Sequence, residues 1–285
     1  MTDLEIGLET KNYPSVGQSF GIVGIMIAVM LLTSPLNIIL GKFIDKEAAL
    51  LIYYLLAVGI PFWIVHSIRK RKTSTKAYNF AIENKRIIPF VIIASVALLF
   101  GVISPISDLI PMPEFFKKAL VELASQKGFF TFLYMVIAAP VLEELIFRGI
   151  MLDGLLKKYS PIKAILISSF LFGLVHLNPW QFIAGLFLGV FMGWIYYKTK
   201  SLSFTIIIHA AVNFSGYLTK FFSDTSSMDK TLVESYGGVL NLVLVIVGCI
   251  SIFAISTYYL WKEFVKDNIN SSKQLCDLTQ GEGTL

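Results

Sequence analysis

Long uncharged runs of residues, rather than short alternations of polar and apolar positions, dominate this chain. Most of these runs are close to the roughly 20 residues that a membrane-spanning helix needs. The pattern predicts an all-α fold, a polytopic membrane helix bundle of about eight transmembrane helices. The predicted spans cover residues 20–40, 48–65, 87–107, a run that starts near 129, 164–178, 179–197, 202–218 and 236–261.

The composition places the chain in a lipid bilayer. With 55% hydrophobic residues, 15% charged residues and a mean hydropathy of +0.72, its 285 residues are too apolar for a soluble domain of this size. The net charge of +5 comes largely from loops, where Lys and Arg set the membrane orientation, so no nucleic-acid partner is predicted. Cys249 and Cys276 have no CxxC spacing, which argues against a disulfide framework or a thiolate metal site.

Polarity divides the chain into three parts. An N-terminal cytoplasmic segment, residues 1–19, lacks the basic region of a cleavable signal peptide, so the first apolar run is predicted to remain as an anchor. A single transmembrane helical domain covers residues 20–261, with a motif-bearing core at 129–218, and a polar cytoplasmic tail covers 262–285. Residues 114–127 mix charged and apolar positions, which predicts an amphipathic helix at the membrane surface.

The distribution of Lys and Arg predicts the orientation of the protein in the membrane. With the basic loop at residues 69–86 placed on the inside, 17 of the 24 Lys and Arg residues fall in inside segments. Because basic residues concentrate in cytoplasmic loops, both termini are predicted to be cytoplasmic. A short chain of this kind favours a bacterial cell membrane as the location of this multi-pass protein.

Ionisable residues are rare in the predicted spans, and they cluster in the fourth, fifth and seventh of them. An ionised side chain in hydrocarbon costs at least about 2.5–3.5 kcal/mol, so such residues are usually paired or functional. Glu144 and Arg148 are four residues apart with the acid first, which predicts an ion pair on one helix face. Glu143 projects from a different part of the helix surface and is left available for chemistry.

Two further pairs of side chains are four residues apart and so share a helix face: Phe172 with His176, and His209 with Asn213. Glu143 and His176 are equidistant from the turn predicted at residues 159–161, which places them at one depth in an antiparallel helix pair. His209 reaches the same depth if residues 152–158 project beyond the membrane. Burying these groups from three helices is simplest around one hydrated cavity.

Three motifs therefore follow one another on separate apolar helices: Glu143-Glu144-x-x-x-Arg148, Phe172-x-x-x-His176 and His209-x-x-x-Asn213. Over about residues 131–217 they resemble the motifs of the CAAX protease and bacteriocin-processing family (CPBP, or Abi) of intramembrane proteases. That family includes the Ras-converting type II CAAX endopeptidase of eukaryotes. The resemblance implies an endopeptidase whose substrate is a membrane-associated protein or peptide.

The resemblance also implies a role for each motif residue. Glu143 and His176 are expected to activate a water molecule, and His209 and Asn213 to stabilise the oxyanion. The remaining motif residues are expected to support the site: Glu144, Arg148 and Phe172. These roles agree with the chemistry of peptide hydrolysis, which needs a general base and fixed donors for the tetrahedral intermediate.

A metal ion is the competing mechanism, because Glu143, His176 and His209 together could form a zinc or iron site. We favour the metal-free mechanism, since an Asn four residues from a His suits an oxyanion donor better than a zinc ligand. No cofactor is therefore predicted, and a divalent metal such as Zn²⁺ is the alternative.

Two other classes of function remain open from the sequence. One is a bacteriocin-immunity or scaffold protein of the same fold that binds a partner without cleaving it. The other is a proton-coupled transporter, which is less favoured because transporters usually contain internal repeats and none is evident here.

Overall fold

The computed structural model describes residues 12–75, 77–222 and 230–281, and in these residues it contains helices and no strand. The first eleven residues of the predicted N-terminal segment and the last four of the predicted tail lie outside the described residues, as does Lys76. The helices are α1 Val16–Leu40, α2 Lys46–Thr73, α3 Lys85–Asp108, α4 Glu114–Ser125, α5 Phe129–Leu156, α6 Pro161–Leu174, α7 Pro179–Thr199, α8 Leu202–Phe222, α9 Leu232–Ser235 and α10 Val239–Gly281.

Seven helices in the described part of the chain are long and apolar enough to cross a membrane: α1, α2, α3, α5, α7, α8 and the Val239–Asp267 part of α10. The predicted all-α, polytopic helix bundle is therefore confirmed, and the protein is an integral membrane protein. The predicted fifth span corresponds to α6, which has only 14 residues. The predicted amphipathic helix is α4, and α10 continues as helix beyond residue 261 into the predicted tail.

Helix α6 ends earlier than its apolar pattern predicts, at Leu174 rather than near residue 178. Leu177 has a φ of 56°, in the left-handed region, which breaks the helix. Asn178 then caps α7, because its side chain accepts a hydrogen bond from the Gln181 backbone N–H, and Pro179 fits the first turn of the new helix. The backbone therefore reverses at Leu177, three residues after the end of α6.

The hairpin of α6 and α7 is held by close backbone approach. A Cβ atom on Gly185 would lie 2.7 Å from Gly173 Cα, and one on Gly189 would lie 2.9 Å from Ser169 Cβ. Small residues at four-residue spacing let apolar helices pack this closely in a membrane, where burial of apolar surface alone gives little driving force. This packing fixes the turn that carries His176.

Helix α5 is irregular around the two adjacent glutamates. It contains π-helical segments at Leu133–Ala138 and Leu145–Leu152, on either side of Glu143 and Glu144. Pro140 lies between these segments and has no N–H to donate, so it interrupts the backbone ladder. π-Helical turns are frequent at functional sites. They change the direction of side chains and leave some backbone carbonyl groups without a partner within the helix.

The two ends of the bundle differ in composition. At one end, called the basic end here, Asp153 lies 3.6 Å from Arg69 and 2.9 Å from Lys157. At the other, the α4 end, Lys220 donates to the carbonyl of Leu123 on α4. Several loops that were predicted to be cytoplasmic meet at the basic end, including those that contain residues 69–75 and 157–160.

Candidate functional site

The two adjacent glutamates of α5 have different surroundings. Glu144 is fully buried, and its Oε1 lies 2.7 Å from Nη1 of Arg148, whose side chain is 1% exposed. Glu143 instead lines a cavity, and 12% of its side chain is exposed. The structure thus places Glu144 in the expected ion pair and leaves Glu143 accessible.

Arg148 makes contacts with two other helices. Its Nη2 donates to the carbonyl of Gly189 on α7 at 3.3 Å, and its guanidinium lies 4.6 Å from the centre of the Phe172 ring on α6. A buried guanidinium is stabilised when carboxylate, carbonyl and ring-face contacts replace its water. Phe172, predicted to support the site, also packs edge-on against the rings of His176 and His209.

His209 on α8 joins the two glutamates. Its Nδ1 lies 2.9 Å from Oε1 of Glu144, and its Nε2 lies 3.8 Å from Oε2 of Glu143. Because Glu144 is also paired with Arg148, it accepts from Nδ1–H of His209 rather than donating to it. Nε2 can then act as a donor only when the imidazole carries both protons.

His176 lies in the turn after α6 and not on the helix that the sequence pattern predicted. Its Nδ1 lies 2.8 Å from the carbonyl oxygen of Phe172, so Nδ1–H is the donor and Nε2 is left as an acceptor. The side-chain amide of Asn178 donates to the carbonyl of His176 at 2.9 Å and so fixes the turn. The ring is thereby held in one orientation at the cavity wall.

Asn213 is fixed from α5. Its Nδ2 donates to the carbonyl oxygen of Met135 at 2.8 Å. In the π-helical pattern of this segment, that carbonyl would accept from the residue five positions later, which is Pro140 and has no N–H. The proline therefore frees an acceptor that orients the Asn213 amide, and the second amide hydrogen stays available.

Tyr54 on α2 is a residue of the site that the sequence motifs did not indicate. Its hydroxyl donates to Oε1 of Glu143 at 2.6 Å, and its ring packs 4.7 Å from that of Tyr134. The side chain is 9% exposed. The available signal in the sequence is the pair Tyr53-Tyr54 in an apolar span, and a tyrosine there is equally well explained by packing.

The four residues expected to react with substrate line one cavity of about 340 Å³. Helices α1, α2, α4, α5, α7 and α8 and the turn after α6 contribute to its wall. Glu143, His176, His209 and Asn213 are thus brought together, as the depth argument from the sequence predicts. Most of the other lining residues are apolar or aromatic, among them Met26, Met30, Tyr53, Tyr134 and Met135.

Glu143, His176 and His209 are the candidate ligands of the alternative metal site. A zinc site with three protein ligands needs three donors pointing to one point. Within residues 12–75, 77–222 and 230–281, no group of three or more His, Cys, Asp or Glu side chains is arranged to hold a metal ion. Glu143, His176 and His209 therefore do not fit a zinc site in the arrangement described here.

The segment that carries the site has recognisable relatives. Residues 125–215 match the model of the family described as "Type II CAAX prenyl endopeptidase Rce1-like". This segment resembles the type II CAAX prenyl endopeptidases. The resemblance predicted from the three motifs is therefore confirmed for this part of the chain, which includes every motif residue.

Two curated proteins match part of the chain. The chain is 36% identical over 81 residues to "UPF0177 protein YxdF" of Lactococcus lactis subsp. lactis (strain IL1403), which covers 28% of this chain and 44% of that protein. It is 35% identical over 77 residues to "Putative membrane peptidase YdiL" of Bacillus subtilis (strain 168), which covers 27% and 32%. The matches span less than half the length of either relative, and no solved structure matches the chain significantly.

Proposed function

We propose that the protein is an intramembrane endopeptidase that hydrolyses a peptide bond of a membrane-associated protein or peptide. The observation that carries the proposal is the meeting of Glu143, His176, His209 and Asn213 at one partly hydrophobic cavity inside a membrane bundle. Support comes from the similarity of residues 125–215 to CAAX endopeptidases and from the relative named as a membrane peptidase.

Glu143 is the proposed general base. It is the accessible carboxylate of the adjacent pair, since the Glu144 side chain is fully buried and engaged by Arg148. Tyr54 donates to Oε1 of Glu143, and Oε2, which lies 3.8 Å from Nε2 of His209, is the oxygen proposed to accept a proton from a water molecule. His176, with Nε2 as an acceptor, is placed at the same cavity to orient that water.

His209 and Asn213 are the proposed oxyanion donors. Nδ1 of His209 is held by Glu144, and one amide hydrogen of Asn213 is held by the Met135 carbonyl. Nε2 of His209 and the second amide hydrogen of Asn213 are the positions proposed to donate to the oxyanion. Donors fixed before the reaction stabilise the developing negative charge without reorganising. In this scheme Glu144 has two roles, because it pairs with Arg148 and holds the ring of His209 through Nδ1.

The first test is hydrolysis by the purified protein. Wild-type protein and the Glu143→Gln variant are incubated with a library of apolar peptides in detergent, and products are read by mass spectrometry. We expect pairs of fragments whose summed mass exceeds that of the intact peptide by one water. These fragments should be absent from the incubation with Glu143→Gln. If no peptide is cleaved by folded wild-type protein, the proposal fails and the non-proteolytic scaffold function is favoured.

Metal content distinguishes the two mechanisms. We expect purified wild-type protein to contain no stoichiometric zinc or iron, and chelators to leave the rate unchanged. His209→Ala and Asn213→Ala should each lower kcat by about 10²- to 10³-fold, the scale for loss of one oxyanion donor. One equivalent of metal that disappears with either histidine but remains in Asn213→Ala would contradict the metal-free mechanism.

Tyr54→Phe tests the contact that the sequence did not reveal. Removing a hydrogen bond to a charged group costs about 1.5–3 kcal/mol, so we expect kcat to fall by about 10- to 100-fold with KM little changed. Tyr53→Phe is the matched control, since Tyr53 lines the same cavity but its hydroxyl donates to the Met30 carbonyl at 3.5 Å rather than to Glu143. Equal losses in the two variants would show that Tyr54 acts only through packing.

A further inference from the structure

The cavity extends from Glu143 in one direction along the bundle. Helix α5 begins at Phe129 at the α4 end, and Met135 and Ala139, which line the cavity, lie between that end and Glu143. Leu123 of α4 lines it as well. The cavity therefore runs from the proposed catalytic residues to the underside of helix α4.

The opposite direction is closed by side chains. From Glu143 towards the basic end, α5 continues through Ile146, Phe147 and Ile150, each with 0% exposure. On α8, Phe204 and Ile208 lie on the same side of His209 and are 1% and 0% exposed. Interiors packed to this degree leave no passage for a peptide or for bulk water.

A second pocket lies next to the cavity at the α4 end. It has a volume of about 490 Å³, lies between the end of α1, the start of α2 and helix α4, and shares Leu123 with the inner cavity. Lys46 of α2 and Glu122 of α4 form a 3.2 Å ion pair at this pocket, with side chains 71% and 66% exposed. Leu123 thus separates an outer vestibule from the inner cavity, at the end of the bundle opposite the basic loops.

The charge distribution assigns a side of the membrane to each end. The segments predicted to lie inside contain 17 Lys and Arg residues, of which Arg148 is buried in the bundle. The remaining 16 outnumber the seven Lys and Arg residues in the segments of the α4 end. Basic residues concentrate in the cytoplasmic loops of membrane proteins. The α4 end is therefore the extracytoplasmic end.

We propose that the cavity opens to the extracytoplasmic side beneath α4, and that its substrate is an extended, apolar-rich peptide segment exposed at the outer face of the membrane. The opening rests on geometry and charge, whereas the cleavage of that segment rests on the proposed function. Met30, Tyr53, Tyr134 and Met135 on the cavity wall favour apolar side chains beside the scissile bond. A tail that stays in the cytoplasm would not reach Glu143.

Cysteine labelling tests the opening without any need for proteolysis. In a background of Cys249→Ala and Cys276→Ala, Glu122→Cys reports the α4 end, Met30→Cys the cavity wall, and Ser160→Cys the exposed turn at the basic end. A membrane-impermeant maleimide should label the first two in intact cells, and Ser160→Cys only after permeabilisation. Labelling of Ser160→Cys in intact cells, or protection of either other cysteine there, would overturn the proposal.

Sealed vesicles test the substrate side. Protein is reconstituted, vesicles are sorted by maleimide labelling of Ser160→Cys, which marks those with the basic end outside, and a peptide cleaved in the library screen is added outside. We expect cleavage only where the α4 end faces the added peptide. Cleavage only where the basic end faces the added peptide would refute the proposed access route, while the proposed endopeptidase function would still stand. If no peptide is cleaved even in detergent, the proposed function fails, and the labelling result still decides where the cavity opens.

Discussion

Replacing Glu143 with Gln should abolish peptide hydrolysis while the melting temperature stays near that of the wild-type protein. The amide keeps the size and shape of the side chain, and its carbonyl oxygen still accepts the hydrogen bond from Tyr54. It cannot take a proton from water, however. Loss of a general base typically costs about 10²- to 10⁴-fold in rate, and the peptide assay should fall at least this far.

The matched control for this variant is Glu83→Gln. It removes the same charge from an exposed carboxylate that lines neither the cavity nor the outer pocket. A surface substitution of this kind changes stability by about 0.5 kcal/mol or less. Its rate and melting temperature should both match the wild type. If Glu143→Gln keeps the wild-type rate, Glu143 is not the base; if it unfolds, Glu143 is instead a structural residue.

The motif residues and their convergence could be predicted because membrane burial makes polar groups conspicuous. In apolar spans, each carboxylate and imidazole needs a partner or a hydrated cavity. Four-residue spacing showed which side chains share a helix face, and equal distance from the turn placed Glu143 and His176 at one depth, so their proximity could be predicted. His209 could be placed at the same depth only if the end of α5 extends past the start of α8. The structure has this arrangement: Leu202, the first residue of α8, packs beside Gly149, and α5 continues beyond that level to Leu156.

The contacts of Glu144 and Glu143 could not be predicted from spacing alone. Helical spacing shows which residues of one helix share a face, but it does not show which neighbouring helix packs against that face. Tyr54 comes from α2, far from the motifs in sequence, and reaches Glu143 only through tertiary packing. The link from Glu144 to His209 is hidden for the same reason, so Glu144 was predicted as a structural partner of Arg148 alone.

The ends of helices were also predicted imperfectly, because hydropathy does not report backbone breaks. Residues 175–178 are apolar enough to extend α6, but the positive φ of Leu177 and the cap at Asn178 end it. This difference matters to the site. A His176 on a regular helix would be fixed by its helix face, whereas in the turn it is oriented by the Phe172 carbonyl and by Asn178.

Replacing Arg148 with Ala should lower stability and yield strongly, in contrast to Glu143→Gln. The substitution leaves Glu144 as a buried carboxylate without its cation and removes the contacts with the Gly189 carbonyl and the Phe172 ring. Breaking a buried pair by removing one partner costs about 3–5 kcal/mol. Thermal unfolding in detergent and the yield of monodisperse protein would measure this loss.

The C-terminal end of the same helix provides a matched control in Lys157→Ala, at the residue that follows Leu156. Lys157 pairs with Asp153 at the same four-residue spacing and a similar distance, 2.9 Å against 2.7 Å, but the lysine side chain is 46% exposed. Because solvent screens such a pair, its loss should cost about 0–1 kcal/mol. The difference between the two alanine variants therefore compares the loss of a buried, multiply bonded cation with the loss of an exposed one whose partner Asp153 also pairs with Arg69. If Arg148→Ala keeps the wild-type melting temperature but loses turnover, Arg148 acts in the chemistry through Glu144 and His209, and the assignment of the pair to structural support is wrong.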